Sequence, residues 1–461
     1  MRNNRDVVLF TLVVTLILFC YSLFSAFSHS DILRLSKVSI LSDVLHDRQA
    51  KPNATKAIPD TTTTVDAYVD DSHNTDTAKI VKSFSKYLQP RLLTNFNADT
   101  TKPALPRLMN KLHAIMKGRK DKIRVAWFGD SLVEADVISM QFRKLIQQFT
   151  STYGVGFIPA TSITSRFRVT AKHTWKGTWD EENFKTKDLR APLFLSGHAF
   201  YTTDGEVTVE DETIQDTVHP QTIEKSLLCG KSVTGTVNLT VNGQPKQYRA
   251  DKLLNRLPLE TSSNHSVTVG IRDNKLPVYG ITLEPVSGFI IDNFSFRGIS
   301  GSELGRFDTA FLETLNTENT YDLVVLEYGV NLMSHASDME FGWYSASIGH
   351  VLRRMQKAMP NAEFLIISTT DRAFYINGRW QSAPGINNLV KVQAEIAYKN
   401  GAAFYNIFQN MGGAGTIAAW AETNPPLAKD DRIHPSYKGT QILGELIYQS
   451  FMNDYNKVNP K

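Results

Sequence analysis

Four short segments of this chain carry residue types able to do acyl-transfer chemistry. In RVAWFGDSLVEAD, Arg124 to Asp136, an apolar run from Val125 to Phe128 breaks at Gly129 and delivers Asp130 and Ser131 to a helix-like segment. A buried strand ending in Gly sets the next side chains at the mouth of an α/β sheet, where such folds bind ligands, so Ser131 is a candidate nucleophile. A Gly-Asp-Ser tripeptide serves equally well as a turn with a helix cap, so the assignment needs partners. KDDRIHPSYKG supplies a base: Asp431 can hold one ring nitrogen of His434 within a single loop and leave the other facing a nucleophile. Asp430 is the rival orienter, at a less apt spacing. LEYGVNLM follows an apolar strand and puts Gly329 and Asn331 at the same sheet edge as Ser131, where an amide side chain can donate to a developing oxyanion. IIDNFSFRGISG offers a second donor, a backbone N–H at a glycine; Gly298 fits best and Gly301 is the alternative.

Other chemistries find less to work with. No G-x-S-x-G elbow surrounds a candidate serine, and no H-E-x-x-H or Cys/His cluster suggests a metal. Glu327 ends a strand without a second carboxylate at hand, so glycosidase chemistry has no specific support.

The elements that must position these groups are readable from pattern. Strand-like and helix-like stretches alternate around the candidate residues: Val125 to Pro159, then FIIDNF, DLVVLEYG, a helix near Tyr344 to Met359, EFLIIST, a helix near Asn387 to Lys399, AAFYNIF, and a last helix from about Thr440 to Phe451. Such alternation predicts an α/β fold with a doubly wound parallel sheet flanked by helices. Residues 161–287 read differently, as Thr/Val/aromatic runs such as HAFYTTDGEVTVE and GTVNLTVNG between Gly, Asn and Asp, which predicts an inserted all-β sandwich. The α/β part is then split into residues 78–160, with leading helices, and residues 288–461.

The N-terminal part is of another kind. Residues 7–27 (VVLFTLVVTLILFCYSLFSAF) carry no charge, and at about 1.5 Å per residue a helix of that length spans roughly 30 Å, a bilayer core. Arg2 and Arg5 before it keep the N-terminus in the cytoplasm, so residues 1–28 read as a signal-anchor and 29–77, rich in Thr, Asp and Pro, as a flexible tether. A cleaved signal peptide followed by secretion is the alternative. With 461 residues, 42% hydrophobic, the chain can bury more than one core; a charge of +4 without a Lys/Arg block argues against nucleic acid as partner. Of its two cysteines, Cys20 lies in the apolar run, so Cys229 has no partner and no disulfide staples the remainder.

Ser131 in GDS, a Gly near 298, G-x-N with Asn331, and D-x-x-H with Asp431 and His434 come in the order found in SGNH (GDSL-type) hydrolases. The resemblance narrows to bacterial peptidoglycan O-acetylesterases through GDSLVEADVISMQFRKLIQQFTSTYGVGF, VYGITLEPVSGFIIDNFSFRGISG, the NMGGAG turn followed by Trp420, and LAKDDRIHPSYKG, over roughly residues 104–455. Leu132 departs from it, since those proteins often carry His after the Ser. The resemblance implies an SGNH fold with a carbohydrate-binding-module-like insert. It also implies catalysis by Ser131, His434 and Asp431, and an oxyanion hole of the Ser131 and Gly298 amides with the Asn331 side chain. No cofactor or metal is implied. The substrate would be an acetyl ester on peptidoglycan, at the C6 hydroxyl of N-acetylmuramic acid, or on another O-acetylated glycan. Residues 7–27 would hold the chain in a bacterial inner membrane with the catalytic part in the periplasm.

Two other readings stay open. The same triad could transfer acetyl to a sugar hydroxyl instead of water. Alternatively the insert binds the wall without catalysis, with Trp175, Trp179 and Tyr201 stacking on sugars; core packing is the competing role for each ring.

Overall fold

The computed structural model describes residues 92–97, 99–213 and 221–458. The apolar run 7–27, the tether 29–77 and the first of the expected leading helices lie outside them. Among the described residues no helix is long and apolar enough to cross a membrane.

Along the chain come α1 (Pro106–Met116), β1 (Lys122–Gly129) and α2 (Ser139–Thr150). An antiparallel set follows: β2 (Gly156–Pro159), β3 (Ala171–Lys176), β4 (Asp180–Asn183), β5 (His198–Asp211), β6 (Ile223–Cys229), β7 (Thr236–Val241), β8 (Gln244–Arg249), β9 (Asn255–Ser262) and β10 (Ser266–Pro285). The alternation then resumes with β11 (Gly288–Ser295), α3 (Thr309–Glu318), β12 (Leu323–Glu327), α4 (Gly342–Ala358) and β13 (Glu363–Ile367). A hairpin of β14 (Ala373–Ile376) and β15 (Arg379–Ser382) precedes α5 (Ile386–Lys399), β16 (Ala403–Tyr405) and the long terminal helix α6 (Tyr437–Tyr455).

The apolar strands lack polar alternation because both faces of their sheet are covered. β1, β11, β12, β13 and β16 form one parallel sheet in the order β11-β1-β12-β13-β16. On one face Val125, Trp127 and Ile291 pack with Leu112 of α1, Phe142 of α2 and Leu443 of α6. On the other, Ala126, Phe128 and Leu326 pack with Leu315 of α3, Leu352 of α4 and Leu389 of α5.

Winding reverses at β1, which has β11 on one side and β12 on the other. In doubly wound sheets that switch point, at the carboxyl ends of the strands, is where a ligand crevice opens. The register makes this concrete: Gly129 pairs with Ser295 on one side and with Glu327 on the other. The three loops that follow, carrying Ser131, Gly298 and Asn331, therefore leave from one level edge.

The antiparallel strands share a nine-stranded sheet that takes in β2, ahead of Thr161. Its long strand β10 pairs with β5 and β7 over its first half and with β2 and β6 over its second. Val209, Leu239 and Val269 thereby join Ile158, Leu227 and Ile281 in one apolar cluster. A buried charged clamp ties this sheet to the parallel one. Arg124 of β1 donates through Nη1 and Nη2 to the two oxygens of Glu284 on β10, Nη2 at 2.7 Å, and Arg256 Nη2 of β9 donates to Glu284 at 2.9 Å. Burial pushes the Glu284 carboxyl up, but Arg124 and Arg256 outweigh it and hold it well below the usual carboxylate range.

Candidate active site

The turn after β1 is tight by necessity. A Cβ on Gly129 would stand 2.2 Å from the Val133 Cγ2, so only glycine lets the chain fold back there. Asp130 shapes the turn, its Oδ1 accepting from the Leu132 N–H at 2.9 Å. Ser131 does not start a helix as the sequence pattern suggests; α2 begins only at Ser139. Ala135 and Asp136 intervene with φ of 56° and 66°, left-handed values that no α-helix accommodates. The strain is held by the fully buried Asp136 carboxylate, which accepts from Ser139 Oγ at 2.5 Å, Arg143 Nη2 at 2.9 Å and Thr170 Oγ1 at 2.9 Å.

The candidate base arrives from the other end of the chain. Ser131 Oγ lies 2.9 Å from His434 Nε2, and His434 Nδ1 lies 2.7 Å from Asp431 Oδ2. Asp431 Oδ1 accepts from the Ile433 and His434 N–H groups at 2.9 and 3.0 Å. Burial raises the Asp431 carboxyl, but those backbone donors and the His434 ring outweigh it and hold it below its ordinary value. An ionised Asp431 can only accept, so Nδ1 carries the imidazole proton and Nε2 is left to accept from the Ser131 hydroxyl. Asp430 meets the loop through its carbonyl, which accepts from Arg432 Nη1.

The loop is braced from both sides. The Lys429 N–H donates to the His434 carbonyl at 2.8 Å, and Ala373 of β14 donates to the Arg432 carbonyl at 3.0 Å. The β14–β15 hairpin behind this brace turns on Asn377 and Gly378, with φ of 51° and 80°, the conformation for which an Asn-Gly pair is suited.

Asn331 stands at the same edge. Its Nδ2 donates to Asp130 Oδ2 at 3.0 Å and to the Ile299 carbonyl at 3.0 Å, which joins the loop after β12 to the loop that carries Gly298. Gly298 has φ of 76° and open space where a Cβ would stand. Gly301 is explained by packing, since its Cβ would meet the Tyr328 ring at 2.8 Å.

Sequence reasoning passed over Asp130 as a functional group, although its place between Gly129 and Ser131 was visible. Burial pushes its carboxyl up to about 7, against the lowering pull of the Leu132 N–H and the Asn331 amide. Behind it, burial raises Glu327 to about 8, with the Trp127 Nε1–H at 2.8 Å pulling the other way. Burial thus raises two carboxyls at this strand end, Asp130 next to Ser131 in the chain and Glu327 behind it, toward neutral pH.

Ser131 and His434 open into a cleft of about 360 Å³ whose walls include Phe167, Arg297, Lys429 and Tyr437. Trp175, Trp179 and Tyr201 are not among its lining residues. Trp175 lies in β3 with its ring centroid 5.1 Å from that of His173. Trp179 donates to the Lys176 carbonyl at 3.0 Å and packs where a Gly205 side chain would be. Tyr201 is 2% exposed, with the Arg190 guanidinium 3.6 Å above its ring, so it has no face to offer a sugar. The rings that do flank the cleft are Phe167, 72% exposed, and Tyr437, 52% exposed. Their signal was an aromatic between arginines in SRFRV and one directly after His-Pro-Ser.

No family model and no curated protein matches the chain. Among solved structures, a peptidoglycan O-acetylesterase aligns with a TM-score of 0.65 at 19% identity, over 77% of this chain and 98% of its own. A family two carbohydrate esterase from Clostridium thermocellum aligns at 10% identity over 61% of this chain and 98% of its own, with a TM-score of 0.27. A putative GDSL-like lipase from Parabacteroides merdae does so at 14% identity over 37% and 74%, with a TM-score of 0.26. The last two are too distant in shape to carry an argument. The first establishes the fold: this chain shares the α/β architecture of that esterase.

Proposed function

We propose that this chain is a serine esterase that removes acetyl groups from an O-acetylated glycan of the bacterial envelope. Peptidoglycan is the substrate we favour, with the ester on the C6 hydroxyl of N-acetylmuramic acid. The carrying observation is the run of two hydrogen bonds, 2.9 Å from Ser131 Oγ to His434 Nε2 and 2.7 Å from Nδ1 to Asp431. The likeness in fold to a peptidoglycan O-acetylesterase, over 77% of this chain, supports the same reading.

Ser131 Oγ attacks the acetyl carbonyl while Nε2 takes its proton, and Asp431 holds the ring in the required tautomer. The carbonyl oxygen becomes an oxyanion, for which the Ser131 and Gly298 amides are the assigned donors, joined by Asn331 Nδ2 once it releases one of its two bonds, to Asp130 or to the Ile299 carbonyl. Collapse expels the sugar hydroxyl, which receives the proton from His434 and leaves an acetyl ester on Ser131. Water, deprotonated by His434, then cleaves that ester and releases acetate. The antiparallel sheet is assigned as a carbohydrate-binding-module-like insert. Residues 7–27 are assigned as an inner-membrane anchor that leaves this machinery in the periplasm.

The test is acetate release by the full chain from O-acetylated peptidoglycan, with base-washed peptidoglycan as the blank and an aryl acetate in parallel. Release that disappears in Ser131→Ala supports the proposal. Turnover of the aryl acetate alone removes the glycan while keeping the esterase. Activity that survives the substitution removes the triad.

A further inference from the structure

The candidate catalytic cleft has an aromatic border that the triad does not use. Phe167 and Tyr437 both line it with Ser131 and His434, and both are exposed. A single exposed ring needs no explanation, but two rings from distant parts of the chain beside one nucleophile do.

Each ring is positioned from the backbone up. Phe167 ends the short turn Ser165–Phe167 between β2 and β3, where its N–H donates to the Thr164 carbonyl at 2.9 Å. Side chains just after it tie that turn to the loop behind Ser131: Thr170 Oγ1 donates to Asp136 Oδ2 at 2.9 Å, and Arg168 Nη2 stands 3.6 Å from the same oxygen. The antiparallel sheet thereby supplies a wall residue to the cleft of the parallel one. Tyr437 is the first residue of α6, three places after His434. The Ser436 N–H donates to the Leu427 carbonyl at 2.8 Å, and a Cβ on Gly439 would stand 2.0 Å from that carbonyl oxygen, so the helix starts hard against its neighbour. The Tyr437 hydroxyl adds a contact to Met140 Sδ at 3.7 Å. Side chains fixed in this way lose little freedom when a ligand covers them.

Hydrogen-bonding groups share the wall. Arg297 donates to both oxygens of Glu134, at 3.1 and 2.6 Å, and Lys429 is exposed. Aromatic faces among charged donors and acceptors match a pyranose, whose C–H faces pack on rings while its hydroxyls reach polar groups. An alkyl chain would cover Arg297, Glu134 and Lys429 without replacing the water they lose. At about 360 Å³ the cleft is large enough for a small ligand.

We propose that Phe167 and Tyr437 form the platform for the sugar that carries the acetyl ester, each ring packing against its C–H surface while the ester meets Ser131. This platform presupposes the esterase reading of the cleft.

Three acetate esters test it on the full chain: soluble O-acetylated muropeptides, acetylated xylo-oligosaccharides, and ethyl acetate, which has no ring to stack. The readout is the ratio of kcat/KM on the better glycan to that on ethyl acetate, in which any loss of active protein cancels. Phe167→Ala and Tyr437→Ala should each lower that ratio by about tenfold, through KM on the glycan. Phe167→Tyr and Tyr437→Phe should keep it, because they keep a ring. Phe167→Leu should fall with Phe167→Ala, since an aliphatic side chain has bulk but no flat face. A ratio that either Ala variant leaves intact overturns the platform, as does one that Phe167→Leu retains, the mark of an apolar wall for an alkyl group. If Tyr437→Ala does not fold, the Phe167 variants decide; if ethyl acetate turns over too slowly to measure, KM on the glycan is compared directly. Turnover of ethyl acetate without either glycan removes the glycan from the proposed function, and no turnover of any ester removes the esterase. In both cases the platform is read by titrating the muropeptides into Ser131→Ala with and without Phe167→Ala, where equal affinity, or no binding to either, overturns it.

Discussion

At the start of β1, Arg124 is 8% exposed and both its terminal nitrogens are engaged by Glu284, itself fully buried and also held by Arg256. Just past the end of the same strand, Ser131, His434 and Asp431 form a linear chain at the wall of an open cleft, the His434 side chain 30% exposed and that of Asp431 42%. The first network spends its polarity on itself, joining two sheets with every charge answered. The second leaves the Ser131 oxygen facing the cleft. Buried reciprocity makes a clamp, while a hydrogen-bonded run that ends at an opening is the arrangement our proposed reaction needs.

The comparison breaks first at the open end. Ser131→Ala should lower acetate release by roughly 10⁴- to 10⁶-fold while leaving the thermal midpoint within about a degree. A large loss of stability would mean the serine belongs to the scaffold. At the closed end the signs reverse. Arg124→Met should cost about 3–5 kcal/mol in urea unfolding, because it strands the buried Glu284, yet leave turnover per folded molecule unchanged. If turnover falls in proportion to the affinity of the clamp, the two ends are coupled and the contrast drawn here is wrong.

Asn331→Ala should reduce kcat by about 10²- to 10³-fold with little change in KM, as expected for a donor used mainly at the oxyanion. A change confined to KM would move Asn331 from the oxyanion to substrate binding. The smallest effect concerns Asp130. Its folded value of about 7 lies above the roughly 3.9 of an unfolded aspartate, so between those values the folded chain binds the extra proton. Stability from this group is full below about pH 4 and is lost as pH rises to about 7. Asp130→Asn should therefore gain on the original chain over that window, by about 1–3 kcal/mol at pH 7.5, and the gap should close toward pH 4. A gap that widens on acidification would show that Asp130 is an ordinary ionised carboxylate.

Local pattern made much of this legible. The unbroken apolar runs around Val125, Val324 and Leu365 announced strands covered on both faces; the motifs after the first two named Ser131 and Asn331, and the loop before the last helix named Asp431 and His434. The antiparallel character of the region after Thr161 was visible in its alternation, as was the helix starting near Thr440, which opens at Tyr437 behind an N-cap at Ser436 whose Oγ accepts from the Gly439 N–H. The errors share a cause. A helix directly after Ser131 was expected from composition, but Ala135 and Asp136 adopt left-handed angles because Asp136 answers Arg143 and Thr170, one of them 34 residues away. Tyr201 read as a possible sugar platform because aromatic residues look alike in sequence, whereas Arg190 covers its ring.

Residue order alone therefore determined the inventory: which strands are buried, which turns need glycine, and which side chains can act as nucleophile, base and orienter. Those properties follow from hydrophobic period and functional-group chemistry, which act over a few residues. The three-dimensional fold decided proximity. It brought Ser131 within 2.9 Å of a histidine 303 residues away, turned Asn331 onto Asp130, raised that carboxyl by enclosing it, and set Phe167 and Arg168 beside the cleft. Burial and long-range register are properties of the assembled sheets, and no window of the chain contains them.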